Sequence, residues 1–403
     1  PDYRAVVVAF SGGPDSPLLL QLAAECLPRR RVRAVHVHHG WHADADAWAE
    51  HCRASARRLR LRCEIVRVDT EPVRGEGREA AAREARYAAL AERVQAGEVL
   101  LTAHHREDQA ETLLLALLRG GGVHGWSGMP QRRALGAGLH LRPWLEVPQA
   151  DLQAMLAARG LETLSDPANR DEDHDRVWLR ERVLPLLRER HPGVDGVLAR
   201  ATGLAAEAAA GVGSLAAADF VRCRGRRAAT IDCAGLATLP PFRQRALLRW
   251  WLARGQLPRP GAARLESARR QLLEASADRN PRVSWPGGEI RRWRGEAWAL
   301  KPLVPVDPAA EWPWENRERP LALPHRTIEP GDLAALVGGL DPGADVRICF
   351  RRGGERLPRR DGCGTVALKR WLAKRGVPPW ERGRTPLVYI DGKLVGAIDI
   401  PRP

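Results

Sequence analysis

The sequence predicts an α/β fold: a parallel sheet with helices on both faces, then a mostly helical middle domain and a small α+β C-terminal domain. Strand and helix signals alternate through the first 120 residues. The opening stretch "VVVAFSGGPDSPLLLQL", residues 6–22, runs from a β-branched strand through a glycine pair into an apolar helix. Beyond about residue 198 the pattern changes to an Ala/Gly-rich helix and then to short strands, which argues for further domains.

The elements follow in order. Arg4–Phe10 reads as a strand, and Pro17–Cys26 as a helix with proline in its first turn, where no amide is needed. Val32–His38 is the second strand and Ala43–Arg60 the second helix. Cys63–Val68 is a strand, Gly77–Gln95 a helix closed by Gly97, and Val99–Ala103 the fourth strand. Glu107–Leu118 is a helix stopped by "RGGG". Repeated βα units of this kind place ligands at the carboxyl ends of the strands. A glycine-rich connection, Gly120 to Gly138, leads to a helix from Pro148 to Gly160, a polar loop and an arginine-lined helix. Leu198–Phe220 is read as a linker helix, and residues 312–324, "WPWENRERPLALP", as a second linker. Asp391-Gly392 between two apolar runs is a two-residue hairpin signal. The expected boundaries are 1–197, 198–320 and 321–403.

The 403 residues carry a formal net charge of +15, and all but four of the 64 basic residues are arginine. Arginine over lysine can come from coding bias, but the surplus over 49 acidic residues cannot, so a nucleic-acid partner is inferred. The seven cysteines are odd in number and form no C-x-x-C pair, which speaks against a disulfide framework and fits a reducing cytoplasm. No apolar run is read as long enough to span a membrane.

"SGGPDS" sits where a strand gives way to a helix N-terminus, so free amides and the helix dipole favour an anion there. Gly12 and Gly13 permit close backbone approach, and Ser11 and Ser16 offer hydroxyls. Asp15 would repel phosphate unless a cation, such as Mg²⁺, bridged them. The lysine of a P-loop is absent. An ordinary Asp/Ser-capped turn is the plain alternative.

"LLTAHHREDQAETLLLALLRG" begins at the end of the fourth strand. His104 and His105 fall on the same rim as the phosphate loop, and Asp108 and Glu111 share one face of the next helix. Three uses compete: helix capping by acids, a His/Asp metal site, and an acidic pocket for a cationic amine.

Together with "HVHHGWH", "AREARYAAL", "GWSGMP", "RPWLEV", "SDPANRD" and "DRVWLRERVLPLL", these motifs resemble the tRNA(Ile)-lysidine synthetase family of the N-type ATP pyrophosphatase (PP-loop) superfamily. The C-terminal "CFRRGGERL" and "LKRWLAKRGVPPWERGRTPLVYIDGKLVGAID" resemble that family's last domain. The resemblance implies an ATP-dependent ligase. ATP adenylates the wobble cytidine of a CAU-anticodon tRNA(Ile), and free lysine then displaces AMP to give lysidine. It implies that Ser11, Gly12, Gly13, Asp15 and Ser16 hold the pyrophosphate end of ATP with Mg²⁺ on Asp15, and that His39 and Gly40, after His38, lie near the adenosine. Asp108 and Glu111 match the acids around lysine. Arg176 and Arg180 match basic residues beside the active site, for phosphate charge or the anticodon. His105 is a candidate proton acceptor by position only, against a hydrogen-bonded loop histidine. The sequence departs from the family pattern at His38, at Ser165-Asp166 and at Arg176-Val177-Trp178.

On this resemblance residues 1–197 form the catalytic domain, 198–320 a linker helix and middle tRNA-contacting domain, and 321–403 a basic tRNA-binding domain, with a homodimer as an option. Residues 347–384 hold 12 Arg/Lys against Glu355, Asp361 and Glu381, interleaved with Trp371 and Trp380. That mix fits RNA contact, while the tryptophans themselves fit core packing. Two rivals stay open: another PP-loop tRNA-modifying enzyme, such as a thiolase or an amidotransferase-type synthetase, and a non-catalytic nucleotide-responsive RNA-binding protein.

Overall fold

A computed structural model describes residues 3–40, 43–69, 78–164, 174–227, 229–276, 279–341, 343–358 and 364–398. The chain divides into two compact units, Pro1–Gly211 and Val212–Pro403.

In the first unit, β1 (Ala5–Ala9), α1 (Ser16–Cys26), β2 (Val32–His38), α2 (Ala45–Arg58), β3 (Arg62–Arg67), α3 (Arg78–Glu92), β4 (Glu98–Leu101) and α4 (Arg106–Leu118) reproduce the expected alternation. The stretch expected as a glycine-rich connection instead contains α5 (Val123–Trp126) and most of a hairpin, β5 (Arg132–Leu135) and β6 (Gly138–Leu141). Its glycines had masked the short alternating strands. The six-stranded sheet has the order β3-β2-β1-β4-β6-β5, parallel throughout except for β5 at the edge. Strand alternation assigns the two cores. Val6, Val8 and Phe10 pack with Leu19, Leu20, Cys52 and Ala56 from α1 and α2. Val7 and Val35 pack with Ala89 and Leu90 from α3. Helices therefore cover both faces.

The chain continues with α6 (Gln149–Ala158), α7 (Asp175–Trp178), a π-helical turn (Leu179–Val183), α8 (Leu184–Arg190) and α9 (Val194–Arg222), of which the part up to Gly211 belongs to this unit. Against the sequence expectation, α9 is long and apolar enough by length and composition to cross a membrane. Ten of its residues are alanine, so its apolarity comes from small side chains.

The second unit contains two larger sheets. β7 (Ile231–Asp232), β8 (Arg282–Trp285), β9 (Gly288–Trp293) and β10 (Glu296–Leu300) form an antiparallel sheet in the order β7-β10-β9-β8. It shares a core with α10 (Cys233–Ala237), α11 (Pro241–Arg254) and α12 (Ala262–Glu274), through Leu247, Trp251, Leu265 and Ile290. β11 (Glu311–Pro313) opens the second sheet. After the β12 (Leu321–Leu323) and β13 (Arg326–Ile328) hairpin and α13 (Pro330–Val337) come β14 (Val346–Cys349), β15 (Arg356–Pro358), β16 (Thr365–Ala367), α14 (Leu368–Lys374), α15 (Pro379–Arg382), β17 (Leu387–Ile390) and β18 (Lys393–Ala397). Their main sheet runs β11-β14-β17-β18. Residues 312–324 are thus not a linker: β11 pairs with β14, and Trp314 is 3% exposed in the core. The proline and charge content of the stretch hid one buried anchor. Asp391 and Gly392 have φ of 49° and 75°, as the expected tight hairpin requires.

Candidate active site

The loop after β1 is built for close approach. Gly12 has φ of +81°, and a Cβ there would lie 2.7 Å from Leu164 Cδ1 and 3.0 Å from Cys52 Sγ. The Gly12 amide donates to Ser16 Oγ at 3.0 Å, and the Gly13 amide to Ser11 Oγ at 3.3 Å. The two hydroxyls are 3.1 Å apart. Ser11 and Ser16 hold these amides in place, and an anion entering the loop would take the amides over from the two hydroxyls. Asp15 stands at the N-cap of α1 but its side chain accepts no capping bond, so simple helix capping does not account for it. Burial raises its pKa above the ordinary carboxylate value, reinforced by Asp108 and Glu107 and opposed by His105 and Arg180. Such a carboxylate gains from a cation beside it.

The β4–α4 junction brings the second motif to the same place. His105 Nε2 lies 3.8 Å from Asp15 Oδ2 and 3.6 Å from Asp108 Oδ2, while Nδ1 lies 2.9 Å from Glu107 Oε2. The His105 amide donates to Asp108 Oδ2 at 3.0 Å, which ties the first turn of α4. Burial works to lower the His105 pKa, but the Glu107 hydrogen bond and the charges of Asp108 and Asp15 carry it above the ordinary histidine value. The ring sits among three carboxylates, which favour its protonated form.

Arg176 and Arg180 meet the acids directly. Arg176 Nε donates to Glu111 Oε2 at 2.6 Å, and its Nη2 to Asp108 Oδ1 at 2.6 Å. Arg180 donates to Glu111 through Nε at 2.6 Å and Nη2 at 2.9 Å. The step from α7 into the π-helical turn sets both guanidiniums on one carboxylate; single π turns recur at functional sites. Burial raises the Asp108 pKa, but the His105 and Arg176 charges outweigh it and hold the group below the ordinary value. Val177 is buried and Trp178 is 43% exposed.

The structure thus gathers Ser11, Gly12, Gly13, Asp15, Ser16, His105, Asp108, Glu111, Arg176 and Arg180 around one rim. His39 and Gly40 follow the carboxyl end of β2 on the same sheet, and His38 is held by Asp46 at 3.2 Å. Ser165 and Asp166 lie outside the described residues. Sequence reading missed Glu107, which also accepts the Gln149 amide at 2.9 Å. It missed Gln109, which bonds both the amide and the carbonyl of Met129 at 2.7 and 2.9 Å and so fixes the "GWSGMP" loop. It also missed the group of Tyr87, Thr102, His140 and Arg142 behind His104. Of these Tyr87, Thr102 and Arg142 lay within motifs already singled out, "AREARYAAL", "LLTAHHREDQAETLLLALLRG" and "RPWLEV", and only His140 lay outside them.

In the second unit, Trp380 packs edge-on against Trp298 and Trp293 at 5.6 and 6.3 Å, so its ring is used inside the fold. Trp371 lies under Arg375, 4.1 Å from guanidinium carbon to ring centre. Arg347 and Arg352 pair with Glu311. Lys369, Arg370 and Lys374 on α14 are exposed and make no ion pair among the described residues.

Comparison with known proteins identifies the family. Residues 1–187 match the family described as a PP-loop domain, 231–298 the TilS substrate binding domain, and 346–401 the TilS substrate C-terminal domain. A tRNA(Ile)-lysidine synthase of Alkalilimnicola ehrlichii is 42% identical over 98% of this chain and 89% of its own length. The protein of the same description from Methylococcus capsulatus is 40% identical over 96% of this chain and 89% of its own. That from Ralstonia nicotianae is 42% identical over 97% and 88%. On this identity and coverage, the chain belongs to the tRNA(Ile)-lysidine synthase family.

Proposed function

We propose that this protein uses ATP to join free lysine to the wobble cytidine of a CAU-anticodon tRNA(Ile), forming lysidine. The observation that carries the reading is the meeting of an anion-ready loop with the Asp108/Glu111–Arg176/Arg180 quartet, joined through His105. In the first step cytidine O2 attacks the α-phosphorus of ATP and pyrophosphate leaves. In the second, a lysine amine attacks C2; the C2–O2 bond breaks, AMP departs with the oxygen, and the amine gives up its proton. A loop that grips a leaving pyrophosphate has no need to polarise a γ-phosphate, so the missing P-loop lysine is accounted for.

The residues present fit Mg²⁺ in a limited way. Among the described residues no cluster of three His, Cys, Asp or Glu could hold a metal alone. Asp15 would supply one carboxylate, with the substrate phosphates and water completing the shell, as is usual for this ion. Mg²⁺ there would neutralise charge on the phosphates. Ser11, Ser16 and the loop amides orient the pyrophosphate. Lysine is received at Asp108. Glu111, 1% exposed and saturated by two guanidiniums, acts through Arg176 and Arg180, which it aims. Lys369, Arg370 and Lys374 suit contact with the tRNA backbone. The family assignment and the six free thiols among the described cysteines favour the lysidine reaction over a thiolase, and we place the protein in the cytoplasm.

The test is incubation with ATP, Mg²⁺, labelled lysine and a CAU tRNA transcript. Label should enter the tRNA with release of AMP and pyrophosphate, and Asp15→Ala should abolish pyrophosphate release. Label that still enters after the wobble cytidine is replaced by uridine refutes the proposed chemistry.

A further inference from the structure

His104 lies in the junction between β4 and α4, beside the site, and its surroundings fix where its proton sits. Arg133 Nε donates to His140 Nδ1 at 3.2 Å. An arginine N–H only donates, so His140 Nδ1 is an acceptor without a proton. His140 is fully buried, and burial, with the Arg142 and Arg133 charges, pushes its pKa down to about 3. Its ring is neutral near pH 7, and its single proton is on Nε2. That nitrogen lies 2.8 Å from Thr102 Oγ1 and donates to it. The hydroxyl proton then goes to the other neighbour, His104 Nδ1, also at 2.8 Å. Burial likewise lowers the His104 pKa to about 3; the charges of Arg142, Arg176 and Arg86 act with it, and Asp108 opposes. His104 is therefore neutral with its proton on Nε2. Its ring is half-buried, and among the described residues Nε2 has no hydrogen-bond partner. Asp108 and Arg176 are among its charged neighbours, so the ring borders the reaction site.

We propose that the chain Arg133–His140–Thr102–His104 sets His104 as an Nε2–H donor that reads the pyrimidine in the site and favours cytosine over uracil. This rests on the lysidine reading, which puts a cytidine there. On its Watson–Crick edge cytosine carries an acceptor at N3, where uracil carries a proton. A histidine free to exchange tautomers offers a donor to one base and an acceptor to the other. The relay disfavours the second option, because with His104 reversed the Thr102 oxygen would accept from both rings and its own buried proton would be left without either of them as acceptor. N3 is the acceptor that suits the chemistry: a donor on O2 would hold back the oxygen that must attack phosphorus. A donor that never becomes charged also adds no repulsion against the lysine ammonium.

The experiment uses the full-length protein and two CAU-type tRNA transcripts, one with cytidine and one with uridine at the wobble position. The ratio of kcat/KM for pyrophosphate release on the two is measured in wild type, Thr102→Val, Thr102→Ser and Arg133→Leu. The valine variant keeps the shape and loses the bridge; it should lower the cytidine preference by about tenfold, the worth of one hydrogen bond. Serine keeps the hydroxyl and should restore it. Arg133→Leu cuts the far end of the relay, should move the ratio the same way, and serves if the valine variant does not fold. Nitrogen NMR of histidine-labelled wild type should show both rings protonated at Nε2. A His104 protonated at Nδ1, or an unmoved ratio in both relay variants of an active enzyme, overturns the relay. A wild type that releases no pyrophosphate with the cytidine transcript refutes the lysidine reading itself.

Discussion

Glu111→Gln tests the charge balance of the site, and its cost can be worked from the contacts. The Glu111 side chain is 1% exposed and accepts three bonds from charged donors, at 2.6, 2.6 and 2.9 Å. Glutamine has the same shape but one acceptor oxygen and an NH₂ group that only donates. With that oxygen in place of Oε2, two bonds survive and the NH₂ faces Arg180 Nε. One charge-assisted bond is lost, worth about 1.5–3 kcal/mol. Two guanidiniums also lose their shared buried anion; removing one partner of a buried pair costs roughly 3–5 kcal/mol. The Arg180 side chain is 35% exposed, so water compensates in part and the lower end, about 3 kcal/mol, is expected. For a unit of this size about 2–4 °C accompanies each kcal/mol, so the midpoint should fall by roughly 6–12 °C. Scanning calorimetry of the ligand-free protein measures it. Asp175→Asn is the control: Asp175 pairs with Arg119 at 3.3 Å, but both side chains are more than two-thirds exposed, and no measurable shift is expected. A Glu111→Gln shift no larger than that of Asp175→Asn would falsify the assignment of Glu111 as the buried anchor.

Gly12→Ala puts a side chain at φ +81° and 2.7 Å from Leu164; the backbone alone costs about 1–2 kcal/mol, and ATP affinity, read by calorimetric titration, should drop sharply. Unchanged affinity would show that the loop does not approach the nucleotide. His140 and His104 bind their protons near pH 3 in the folded chain, while unfolded histidine does so near 6.5. Their contribution is therefore present above pH 6.5 and lost as pH falls towards 3, at up to about 1.4 kcal/mol per pH unit for each ring. His140→Phe should flatten the acid side of the Tm profile, and a profile as steep as wild type contradicts the buried neutral ring. Charge reversal of Lys369, Arg370 and Lys374 to Glu should weaken tRNA binding and lower the slope of log affinity against log salt by roughly two to three. An unaltered slope in filter binding places the RNA elsewhere.

Much of the first unit could be read in advance because its signals are local. The residues of β2 and the end of α4 follow from apolar runs and their stops, and the phosphate loop from two glycines at a strand–helix junction. What stayed hidden is tertiary. Nothing in the spacing of Asp108 and Glu111 says that Arg176 and Arg180, more than 60 positions away, will neutralise them. The tautomer of His104 depends on Arg133 in an edge hairpin that glycine content had disguised. Residues 312–324 looked like a linker because proline and charge were weighed above Trp314, whose burial ties the segment to the last sheet.

The pairing of Asp108 and Glu111 with Arg176 and Arg180 has a kinetic consequence. The four formal charges of this quartet sum to zero, so the quartet itself projects little field beyond a few ångströms. On the proposed reading, free lysine would not be drawn in from a distance by this quartet; its ammonium would exchange places with a guanidinium already seated. Its capture should therefore depend only weakly on ionic strength, whereas the polyanionic tRNA, if met by the α14 cations that make no ion pair among the described residues, would be gathered from solution and released by salt. The two substrates of one ligase would reach it under different physical regimes, one by local displacement and the other by long-range attraction.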